Sequence, residues 1–89
     1  MANTKSALKR ARKAEERRRL NVQKRSALKT AVKKIHQKLA EGDAAGAQLL
    51  YNEMASHADK IAAQGVIHRN KAARLKARLA RRVAKLAHA

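Results

Sequence analysis

Hydrophobic positions recur along this chain at three- and four-residue intervals, in three separate stretches. In the first, Leu28, Val32, Ile35 and Leu39 fall at 4-3-4 spacing, and Ala31 widens the stripe. In the second, Ala47, Leu50 with Tyr51, Met54, Ala58 and Ile61 repeat in the same way. The third carries Ala72, Leu75, Leu79, Val83 and Leu86. This is the period of an α-helix that buries one face. No β-branched stretch alternates with polar residues, there is no proline, and Ala, Leu, Lys, Arg, Glu and Gln dominate. All of these are strong helix formers, so the pattern predicts an all-α chain.

The punctuation between stripes sets the helix ends. The first helix is expected to begin near residues 3–6, with Asn3, Thr4 or Ser6 as N-cap, and to reach about Ala40 before Gly42. The second is expected to start on Asp43 and end at Gly65, and the third to run from near His68–Asn70 to about Leu86. Either His68 or Asn70 can cap the third. Turns of a few residues leave no room for a linker, so three stripes predict an antiparallel three-helix bundle. The first half of the first helix offers only Leu8, Ala11, Ala14 and Leu20 among basic residues. It cannot bury a face. Residues 1–20 are therefore expected to project as a basic half-helix, with residues 21–89 forming the bundle of one domain. Leu49 lies off its stripe and is expected to be exposed, and Tyr51 to be core.

Composition thins that picture. Of the 40 apolar residues, 21 are alanine. So small an aliphatic core in 89 residues is marginal, and a partner is expected to supply part of the fold.

Charge names the class of partner. The chain carries 23 Lys and Arg against six Asp and Glu, a net charge of +17. Residues 1–38 have a local charge of +12, residues 39–65 of −3, and residues 66–89 of +8. Such a chain repels itself until a polyanion neutralises both ends, and nucleic acid is the first candidate. At the N-terminal end the run is Lys5, Lys9, Arg10, Arg12, Lys13, Arg17, Arg18, Arg19, Lys24 and Arg25, with only Glu15 and Glu16 opposing it. A solvated face usually mixes signs, whereas here cations surround the helix. At the other end, Lys71, Arg74, Arg78, Arg81 and Lys85 form a stripe centred about 130° from the apolar one. One helix thus faces a core and presents a basic ridge running from Arg69 through Arg82. Within Ile67-His68-Arg69-Asn70-Lys71-Ala72-Ala73-Arg74 the donors are varied: planar forks, a point charge, an amide and an imidazole. That variety suits phosphates, riboses and the 2′-hydroxyls of folded RNA. With one Tyr and no Phe or Trp, single-stranded bases have no exposed ring to stack on. Recognition is expected to be of shaped RNA through its backbone. A nucleoid-type protein on duplex DNA remains the alternative from composition alone. A membrane-surface helix is disfavoured by the lack of Trp and Phe.

Other classes have little support. Without cysteine there are no disulfides, thiolate nucleophiles or Cys-based zinc sites. No apolar run approaches a membrane span, and the start lacks a secretory h-region. An Arg-rich helical start also resembles a transit peptide, but Glu15, Glu16 and the unbroken run into an apolar-faced segment argue against one. The expected location is the cytoplasm. Glu15 and Glu16 are expected to pair with nearby cations rather than act as acids. His36, His57, His68 and His88 are far apart and match no ligand spacing. No phosphate-binding loop or nucleophile elbow is present. The chain is not expected to be an enzyme or to use a cofactor, metal or small-molecule substrate.

Several of these residues together resemble one family. MANTKSALKRAR (Met1 to Arg12), then Asn21, Arg25-Ser26, Thr30, Lys33-Lys34, Gly42-Asp43, and Gly65-Val66-Ile67-His68-Arg69-Asn70-Lys71-Ala72-Ala73-Arg74 with Lys76 and Arg78-Leu79 are similar to the bacterial small-subunit ribosomal protein S20 family. Arg69 stands where Lys is common. Leu75 replaces a frequent His, which favours a core role there, and the second helix lacks a mid-helix Pro many relatives carry. The resemblance implies a three-helix protein that binds 16S rRNA directly and early in small-subunit assembly. It implies a place low on the subunit body, against the 5′ domain and the long 3′ minor-domain helix, with few protein contacts. It adds Asn21, Ser26, Lys33, Lys34 and Lys76 to the expected RNA-binding set, beside His68, Arg69, Asn70, Lys71, Arg74, Arg78, Arg81 and Arg82. The expected mechanism is a clamp. The two basic helices neutralise packed phosphates while the acidic second helix faces away and completes the core.

Overall fold

A computed structural model describes the backbone of residues 2–88 and the side chains of residues 4–88. Three α-helices follow one another: α1 (Ala2–Glu41), α2 (Ala44–Ala63) and α3 (Arg69–Ala87). At 1.5 Å per residue α1 is about 60 Å long, and the molecule measures 68 × 21 × 13 Å. The helix starts earlier than expected: Thr4 and Ser6 lie inside it rather than capping it. The Asn3 side chain lies outside the described residues.

Both turns are built on a glycine in the left-handed region. Gly42 has φ +76° and Gly65 has φ +78°. At the first turn, Gly42 N–H bonds the Leu39 carbonyl (3.1 Å) and Asp43 N–H bonds that of Lys38 (3.0 Å). At the second, Gly65 N–H bonds Ala62 (3.0 Å) and Val66 N–H bonds Ile61 (2.9 Å). These paired bonds satisfy the carbonyls a helix end leaves open, and they require a positive φ that glycine takes without strain. Asp43 then caps α2 as expected, its Oδ1 accepting from Gly46 N–H at 2.9 Å. The cap of α3 is His68, whose Nδ1 accepts from Asn70 N–H at 3.1 Å.

The three stripes meet as the spacing predicts. Leu28 and Ile35 from α1, Ala47, Met54, Ala58 and Ile61 from α2, and Ala72, Leu79 and Val83 from α3 are buried. Val32, Leu39, Leu50, Tyr51 and Leu75 pack half-buried at the edge. Two further core residues, Val66 and Ile67, come from the second turn and plug the end of the bundle. α2 lies in the middle and packs along both neighbours, while α1 and α3 touch little. The chain's charges account for this opening. Arg25, Lys29 and Lys33 on α1 repel Lys71, Arg74 and Arg78 on α3, whereas α2 carries Glu53 and Asp59.

Among the described residues, polar side-chain contacts tie the helices together. His57 Nε2 lies 3.1 Å from the Lys24 carbonyl and Lys24 Nζ donates to Gln64 Oε1 at 2.8 Å, both joining α1 to the α2 region. Lys76 Nζ lies 2.7 Å from Asp59 Oδ1 between α3 and α2. Arg82 Nη1 lies 3.4 Å from His36 Nδ1 between α3 and α1. Residues 4–20 are exposed throughout, with Leu8 at 62%. The first half of α1 therefore stands clear of the bundle. Leu49, at 67%, is exposed as its register predicts.

Candidate nucleic-acid interface

The projecting half of α1 carries its cations on one broad side. At 100° per residue, Lys5, Lys9, Arg10, Arg12, Lys13, Arg17 and Arg19 fall within an arc of about 180°, and all are exposed. Arg18 lies outside that arc, bound to Glu15 one turn back. The hydrogen bond and charge of Arg18 hold the Glu15 carboxyl below its ordinary range. Glu15 thus stays ionised beside Arg18 on an exposed flank of the helix. The basic belt is a half-cylinder rather than the complete ring that the composition suggests.

Where α1 enters the bundle, its expected contacts diverge. Asn21 and Lys24 are half-buried, and Lys24 is turned toward Gln64. Arg25 and Ser26 are exposed and line the space between α1 and α3. Lys33 and Lys34 are exposed, and Lys34 lines the α1–α2 side beside Glu53 and His57. Thus Arg25 and Lys34 serve different faces of one helix.

The α3 ridge holds together. Arg69, Asn70, Lys71, Arg74, Arg78, Arg81 and Arg82 are all exposed. Arg74 Nε donates to the Asn70 carbonyl at 3.3 Å, which leaves the rest of its guanidinium fork outward. Arg82 is tethered to His36. His68 spends Nδ1 on the cap, and the exposed ring keeps Nε2 for a partner. Lys76 departs from the ridge. It is half-buried against α2, and its hydrogen bond to Asp59, with the carboxylate's charge, holds the amine above the usual lysine range.

Lys29 is a residue that the sequence reading left out. It is exposed and lines the α1–α3 groove with Arg25 and Lys71. Its signal was its position one helical turn after Arg25, on the same side. Facing cations from α1 and α3 thus share one open side of the bundle, while Glu53 and Asp59 sit on α2. Among the described residues, no group of three His, Cys, Asp or Glu is placed to hold a metal, and no helix is long and apolar enough to cross a membrane.

A basic groove, a second basic arm and an acidic back are what a protein wedged into folded RNA needs. The family model for ribosomal protein S20 matches residues 2–84, nearly the whole chain. The chain therefore belongs to the ribosomal protein S20 family, small-subunit ribosomal proteins that bind rRNA.

Proposed function

We infer that this chain is a structural clamp on 16S rRNA, acting as one unit early in small-subunit assembly. The half-cylinder of α1 lies along phosphates of one RNA segment. The groove side, with Arg25, Lys29, Lys71, Arg74 and Arg78, takes a second. The family resemblance supports reading these segments as the 5′ domain and the long 3′ minor-domain helix. The site of action is the cytoplasmic ribosome, with few protein contacts.

One observation carries this reading: the projecting basic half of α1 continues without a break into the bundle, where α2 packs along both α1 and α3, so both basic surfaces belong to one helical framework. A flexible polycation would neutralise phosphates equally well but would not set the distance between two RNA helices. The chemistry is electrostatic. Bringing RNA helices together crowds like charges, and fixed Lys and Arg lower that cost while releasing counterions. Arg supplies planar forks for bidentate phosphate contacts, and Lys adds point charge where geometry is less exact.

Sedimentation of a cell lysate through a sucrose gradient tests it. The chain is expected to travel with small subunits at low salt. Recovery at the top of the gradient, or on chromosomal DNA, contradicts it.

A further inference from the structure

Between α1 and α3, on the open side of the bundle, lies a groove of about 430 Å³. Leu28, Val32 and Leu75 form its floor, Arg25 and Lys29 one rim and Lys71 the other, and no acidic residue lines it. Arg74 and Arg78 continue the Lys71 rim along α3. Val32 and Leu75, at the edge of the core, stay half-open to solvent between these charged rims.

The geometry points to one occupant: an unpaired nucleotide of the rRNA. Its base and ribose lie on Val32 and Leu75, and its flanking phosphates sit between Arg25 and Lys29 on one side and Lys71 on the other. The inference rests on the rRNA-binding reading and deepens it. A base that has left its stack exposes two apolar faces, which need cover from water. The groove supplies aliphatic cover in a chain that has no aromatic ring to offer there. Ser26, also on the lining, brings a hydroxyl that can donate or accept at a base edge or a 2′-hydroxyl. The volume falls at the small end of ligand sites, which run from about 300 to 1,000 Å³. A partner helix fits less well. On α1 the apolar lining runs from Val22 to Val32, about 15 Å along the axis, but Arg25, Ser26 and Lys29 interrupt it, so it offers no continuous apolar stripe. The chain thus holds one nucleotide by shape, beyond the backbone contacts its composition predicts.

The test uses the full chain in reconstituted small subunits. A photoreactive benzoylphenylalanine is placed at Val22, which is 48% exposed on the groove lining, and in a control at Leu49, which is 67% exposed on α2. Irradiation is expected to give one dominant cross-link from position 22 to an unpaired rRNA nucleotide, and none to that nucleotide from position 49. As a second measurement, Val22→Glu, at an exposed lining position outside the expected RNA-binding set, places a carboxylate in the groove. Co-sedimentation is then retained, while the same nucleotide loses its protection from base-directed chemical probes. If the chain co-sediments but position 22 cross-links to a protein, to paired RNA or to nothing, the groove assignment is overturned and rRNA binding stands. The same holds if Val22→Glu leaves every reactivity unchanged. A chain that does not co-sediment overturns both.

Discussion

Lys76 Nζ lies 2.7 Å from Asp59 Oδ1 and ties α3 to α2, while Arg74, two residues earlier, is exposed on the ridge. Two adjacent cations of one basic segment therefore do different work. The Asp59 contact raises the Lys76 pKa above its ordinary value. A raised pKa means the folded state holds the proton more tightly. Its stabilising contribution is complete below the unfolded lysine value, about 10.4, and is lost as pH rises through the folded one. Lys76→Met is expected to lower Tm slightly at pH 8 and to lose that difference as pH rises through the raised lysine value. Its rRNA affinity is expected to stay close to that of the parent. Thermal melts across that pH range, with one binding isotherm, check both. A fall in affinity as large as that caused by loss of Arg74 would return Lys76 to the interface.

Arg74 and Arg78 are exposed and make no ion pair among those the described residues form. Replacing both with Ala is expected to leave the circular dichroism spectrum unchanged and to weaken rRNA binding. The log–log salt slope should become shallower by about 2, one for each phosphate contact removed. A collapse of helical signal would mean that these side chains hold the bundle instead.

Leu79 is fully buried between α3 and α2, where no solvent reaches it. Leu79→Ala is expected to cost about 2–5 kcal/mol in urea or thermal unfolding, the range for a buried Leu lost to a cavity. Leu49→Ala, at an exposed site, is expected to stay within about 0.5 kcal/mol of the parent. Equal losses at the two positions would contradict the assigned core.

Gly65 sits at φ +78° with open space where a Cβ would stand. Gly65→Ala therefore meets no clash and pays only the left-handed backbone penalty, about 1–2 kcal/mol. Equilibrium unfolding checks this. A neutral result would mean that the turn relaxes and that the paired bonds of Gly65 and Val66 are dispensable.

The helices and both turns were legible because the forces that set them are local. A 3–4 spacing fixes which face is buried, and Gly42 and Gly65 mark where a carbonyl must be closed by a residue at positive φ. The burial of Val66 and Ile67 was not legible, since two residues outside any helix carry no period. Neither was the opening between α1 and α3, which depends on how two like-charged helices settle against a third. For the interface, charge density named the partner class but not which cations are free. Lys76 and Arg74 differ by about 200° around the helix, and only the position of Asp59 shows that Lys76 faces inward. Arg18 and Lys24 were likewise assigned by type, and the structure adds the contacts they make with Glu15 and Gln64.

Salt titration of binding to folded 16S rRNA, beside duplex DNA of equal charge, tests most directly whether two rigid basic surfaces act as counterions for compact RNA. Affinity for the rRNA is expected to be the tighter of the two. It should fall with a log–log slope of about −0.7 to −0.9 per phosphate neutralised. With the seven arc cations and the five on the groove side engaged, the slope is expected to be on the order of −10. A flat isotherm between low and moderate salt, or equal affinity for the two nucleic acids, would contradict it.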